Sequence, residues 1–130
     1  MLHKDYLLEV INQFVDAVSE SLGLARKDKD PGQVKEAEQA VANLLDLDAE
    51  VALKLAPTSL VQMLVLSGVG DALAEYVVYA LREVSKVYEE MGEIQLAELR
   101  LAQANQVAAS FNVDPLVVPH EFLELYVDKD

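Results

Sequence analysis

The chain of 130 residues contains no cysteine, no tryptophan and few aromatic rings. Without cysteine there can be no disulfide, no thiolate metal ligand and no cysteine nucleophile; the composition fits a reducing compartment, and a cytoplasmic location is expected. Long apolar runs are missing too: the stretches 64–66 and 76–81 are far too short to span a bilayer. Near the start, Asp5, Asn12 and Gln13 interrupt the apolar core that a signal peptide needs, so no leader is expected. Positive charge is scarce. Twenty-three Asp and Glu against ten Lys and Arg give a net charge of −13, which repels phosphate backbones and anionic head groups and argues against nucleic acid or membrane as partner. The acids are spread along the chain rather than gathered in a ribbon, so solubility, not mimicry of nucleic acid, is their expected role.

What is present is helical periodicity, and this length suits one domain, residues 1–130, burying about two thirds of the surface of its unfolded chain. Over 5–24, Leu7, Leu8, Ile11, Phe14, Val15, Val18 and Leu22 form a wide apolar stripe, predicting a first helix that ends at Gly23 or shortly after. Residues 26–32, with alternating charge and Pro31-Gly32, read as an exposed turn. A second helix follows over about 33–45. Asp48 is a candidate cap for a short helix through about 55, and Thr58 or Ser59 for a segment over 60–66 that is apolar nearly all round and therefore expected to be deeply buried. After a hinge at 67–71, a helix over about 71–91 is the expected centre of the fold, because 76–81 is apolar for more than one turn. Its antiparallel partner runs over 93 to about 111. Pro115 and Pro119 frame a linker to a last helix, 120 to about 127.

Gly32 and Gly92 open the same spacing: an Ala five residues on (Ala37, Ala97), an aliphatic at nine (Val41, Leu101), a small or aliphatic residue at twelve (Leu44, Ala104). Paired antiparallel helices that keep small residues where they touch produce such a pattern. The stretch 80–104, with Leu81, Ser85, Tyr88, Gly92, Ala97, Leu101 and Ala104 in order, resembles a tetratricopeptide repeat. The first hairpin matches more loosely. Leu22-Gly23 supplies a bulky-small pair, but the loop to Gly32 is two residues longer and no aromatic stands four before that glycine. A third unit is missing. The opening Lys4-Asp5-Tyr6-Leu7-Leu8 through Leu22-Gly23-Leu24, taken with the later repeat, also resembles a family of small uncharacterised bacterial all-helical proteins with tetratricopeptide-like hairpins. These resemblances imply an all-α fold of antiparallel helical hairpins, arranged as a superhelix or bundle, and bring no activity with them. They further imply that Tyr79, Arg82, Lys86, Glu89 and Glu90 face a groove, with Arg82 where family members that clamp a peptide's terminal carboxylate carry a basic residue. An unrelated bundle is the alternative, since small residues recur wherever two amphipathic helices meet.

No catalytic, cofactor or metal motif stands out. Asp28 to Gly32 and Asp46 to Glu50 cluster carboxylates but fail the calcium-loop pattern; the first has a proline, the second no glycine, and both lack the closing glutamate. His120-Glu121 starts like a helical zinc-protease motif, yet Glu124 stands where the second His belongs. Ser67-Gly68-Val69-Gly70 lacks the lysine of a phosphate loop. Arg82 and Lys86, two cations at i and i+4, repel each other slightly. They either share the groove with Tyr79 or pair with separate carboxylates, Lys86 with Glu90. Along 120–128, Phe122, Leu123, Leu125, Tyr126 and Val127 cover most of the helix circumference, so Phe122, Leu123 and Tyr126 are expected to form a homodimer interface; the alternative is a tail that folds into a notch on its own core, giving a monomer. The leading expectation is a non-enzymatic module that binds a protein, a peptide or a second copy of itself, with no cofactor and no metal. The alternative is a small enzyme with scattered Asp, Glu and Tyr in an interhelical pocket.

Overall fold

Residues with helical spacing condense into six α-helices and one further helical turn in the computed structural model, which describes residues 2–28, 30–45, 47–68 and 70–123. The order is α1 (Leu2–Asp28), α2 (Pro31–Leu44), α3 (Ala49–Ala52), α4 (Pro57–Leu66), α5 (Gly70–Glu90) and α6 (Ile94–Ser110), with the turn at 120–123. No strand occurs among the described residues, and no helix there is long and apolar enough to cross a membrane.

Two hairpins carry the architecture. α1 packs on α2 and α5 packs on α6, each pair joined by a connection too short for anything but antiparallel neighbours. α5 also meets α1, α2 and α4, while α4 leans on α6 and α3 on α2. The apolar run 76–81 is buried throughout, as expected of the central helix. One hydrophobic cluster runs from Ile11 of α1 through Val34 and Val41 of α2, Leu60 and Leu64 of α4, and Val77 and Val84 of α5 to Val107 of α6.

The first connection differs from its expected form. α1 does not stop at Gly23 but runs on to Asp28, because Leu22 and Ala25 are buried on either side of the exposed glycine. Their burial outweighs the roughly 1 kcal/mol that glycine costs a helix interior. Asp30 is then the N-cap of α2, accepting from the Gly32 N–H at 2.9 Å, with Pro31 in the first turn. Gly32 therefore lies inside α2, whereas Gly92 terminates α5. At φ 83° it lets the Glu93 N–H reach the Tyr88 carbonyl at 2.9 Å and its own N–H reach the Glu89 carbonyl at 3.0 Å, closing the helix end. The two glycines share a spacing but not a role. Ala37 and Ala97 are both buried, and the Ser85 hydroxyl donates to the Ala97 carbonyl at 2.6 Å, the close approach that small residues allow between α5 and α6.

The middle of the chain also departs from expectation. Asp48 precedes α3, but its backbone carbonyl rather than its side chain receives the first N–H groups, and α4 starts at Pro57 behind Ala56 without a side-chain cap. α4 is not buried all round: Leu60 and Leu64 face the core while Val65 and Leu66 are 60% and 79% exposed. At the start of α5, Gly70 has no room for a side chain, since a Cβ there would stand 2.8 Å from both the Leu64 carbonyl oxygen and the Phe111 ring.

Candidate functional site

Three clusters of polar chemistry lie at helix junctions. In the deepest, Glu38 on the apolar stripe of α2 and Arg100 on that of α6 are 6% and 5% exposed. Arg100 Nε donates to Glu38 Oε2 at 2.6 Å, and the Tyr88 hydroxyl donates to Glu38 Oε1 at 3.0 Å. Arg100 Nη1 and Gln103 Nε2 both donate to the Leu53 carbonyl, at 2.7 and 3.1 Å, and Gln103 reaches the Leu55 carbonyl at 2.9 Å. The two side chains thereby satisfy carbonyls stranded between α3 and α4. Burial first, and then the charge and hydrogen bond of Glu38, push the Tyr88 phenol above its ordinary value. Among the described residues no buried side-chain nitrogen or oxygen lacks a partner. This network holds three helices and a loop together.

The second cluster joins the hairpins nearer the surface. Glu83 of α5, itself buried, accepts from Arg26 Nη2 of α1 at 2.9 Å and from Lys86 Nζ at 2.8 Å. Burial acts to raise the Glu83 carboxyl, but the hydrogen bonds and charges of Lys86 and Arg26 outweigh it and hold the group below its ordinary value. Arg26 also lines a cleft of about 660 Å³ between the ends of the two hairpins. Its walls differ in sign. Arg26 and Lys35 stand on the α1–α2 side, Glu90 and Glu93 on the α5–α6 side, and Val87, Met91 and Leu96 supply apolar surface. Arg26 is already paired to Glu83 of α5, whereas among the described residues Lys35, Glu90 and Glu93 enter no ion pair.

The third cluster lies on the opposite half of α5. Residues 111–119 lead from α6 to the turn at 120–123, which seats Phe122 against Tyr79 of α5, ring centroids 4.4 Å apart, and edge-on to Phe14 of α1 at 6.5 Å. The Tyr76 hydroxyl donates to Glu121 Oε2 at 2.7 Å. Burial, followed by the hydrogen bond and charge of Glu121, raises the Tyr76 phenol.

The residues expected to face one groove are thus divided. Tyr79 is covered by Phe122, Lys86 is held by Glu83 rather than by Glu90, Glu90 lines the cleft, Glu89 is exposed, and Arg82 is half-buried on α5. Of the residues expected at a dimer interface, Phe122 is packed inside this chain's own core because the α1–α5 groove receives its ring. Leu123 is exposed, and Tyr126 lies outside the described residues. The Glu38–Arg100 pair was not among the expected sites, although each residue is a charge interrupting an apolar stripe, Glu38 between Val34 and Val41 and Arg100 between Ala97 and Ala104. Among the described residues no three His, Cys, Asp or Glu side chains gather as metal ligands would. No protein-family model, curated protein sequence or solved structure matches the chain.

Proposed function

We propose that this chain is a non-enzymatic, tetratricopeptide-like interaction module that holds a peptide segment of a partner protein in the cleft between the ends of its two hairpins. The cleft itself carries this reading. Its volume of about 660 Å³ falls in the range of small-ligand sites, and its mixture of apolar surface with a few charged groups is the lining such sites have.

Backbone amide spectra recorded during titration with the blocked peptide acetyl-Asp-Ala-Leu-Leu-Ala-Lys-amide test the reading. Saturable shifts are expected at Arg26, Lys35, Met91 and Leu96, with at least a tenfold weakening in the R26E/K35E chain. Shifts scattered over the surface, or none that saturate at millimolar peptide, would contradict it.

A further inference from the structure

The α1–α5 groove shows its own selectivity through the segment seated in it. One helical turn brings an adjacent carboxylate and aromatic ring, Glu121 and Phe122, to a phenol donor and an aromatic slot: Tyr76 takes the carboxylate at 2.7 Å, while Tyr79 and Phe14 take the ring. The approach to that turn is anchored at both ends, by Val113 against the core and by buried Pro119, and is exposed in its middle. Leu116 is 71% exposed, Pro115 is exposed, and the bonds closing this stretch, Val117 N–H to Asp114 carbonyl and Leu116 N–H to Asp114 Oδ1, are local. We infer that the groove is a second peptide-docking site, occupied in cis by residues 120–123 and open to a partner segment that carries an acidic residue followed by an aromatic one. This site is separate from the hairpin-end cleft and stands or falls without it. The cis segment is a competitor at high local concentration, so a partner gains access when the turn lifts off.

Three measurements test this. In the natural full chain, amide exchange of Phe122, whose N–H bonds to the Pro119 carbonyl at 3.0 Å, reports release of the turn. It is expected to be at least a hundredfold faster than that of the α5 amides of Val77 and Leu81; equal protection would make the turn part of the cooperative core and overturn the proposal. The full-length E121Q/F122A chain, checked for helicity, should bind a fluorescent copy of segment 117–123 at least tenfold more tightly than the natural chain does. A copy of that peptide with its Glu and Phe replaced should not bind. Failure of the variant to fold, or equal binding by both chains, overturns the proposal. A natural chain that sediments as a dimer and becomes monomeric on adding the peptide would assign the groove to a second copy instead of a partner segment.

Discussion

A buried charge is cheap to keep only while its partner is present. Glu38 and Arg100 pair at 2.6 Å with almost no solvent contact, and removing one leaves the other charged and dry. Replacing Arg100 by Met is expected to lower the unfolding free energy by about 3–5 kcal/mol, a large part of a typical domain's stability. Gln103 still holds the Leu53 carbonyl, so the loss falls mainly on Glu38. The E38L/R100M chain should recover about half of it, with a remainder of about 1–3 kcal/mol for the Tyr88 hydroxyl left without an acceptor; urea denaturation of the three chains gives the comparison. Glu83 makes a different prediction. Its carboxyl is held below the ordinary 4.5, so its contribution to stability is present above about that pH and is lost as the pH falls through the lower folded value. The natural and E83Q chains should therefore differ in denaturation midpoint at neutral pH and converge in acid. Added salt should shrink the difference at neutral pH, because Lys86 is well exposed.

At the scale of helices, the glycines separate positions that a sequence reading treats alike. Gly92 closes α5 in a left-handed conformation, and G92A should cost about 1 kcal/mol. Gly23 lies exposed inside α1 with nothing within 4 Å of the place a methyl group would take, so G23A should stabilise by about 0.5–1 kcal/mol. G70A meets the Leu64 carbonyl and the Phe111 ring and should cost about 1–3 kcal/mol. Thermal unfolding of the three variants, ordered G23A above the natural chain, then G92A, then G70A, checks all three. Much of the helical pattern was legible: the stripes of α1 and α2, the all-round apolar run at 76–81 and the Gly92 turn each have a local cause in residue spacing. The end of α1 was not, because the burial of Ala25 that carries the helix past Gly23 depends on a neighbour distant in sequence. The exposure of Val65 and Leu66 is likewise set by which helices flank α4, and hydropathy alone reports only that the segment is apolar. Glu38 and Arg100 were visible as charges on apolar faces, but their pairing across 62 residues of chain appears only once α2 and α6 are brought together.

For the molecule as a whole, net charge and local charge make opposing demands on a partner. A chain of net charge −13 attracts basic peptides over its entire surface, whereas a cleft with Arg26 and Lys35 on one side and Glu90 and Glu93 on the other favours a segment bearing both signs. The groove residues expected from the sequence were drawn from one helix face and so did not reveal this cleft, which is assembled from the ends of four helices. The E90K/E93K chain, with both walls positive, should prefer an all-acidic peptide. The most direct measurement is calorimetric titration of the natural chain at physiological salt with three blocked peptides sharing an apolar centre and differing only at their ends: acidic and basic, both acidic, both basic. The mixed peptide is expected to bind most tightly, by about tenfold or 1.4 kcal/mol. Tightest binding of the all-basic peptide, or equal binding of all three, would contradict the assignment of the cleft as the recognition site.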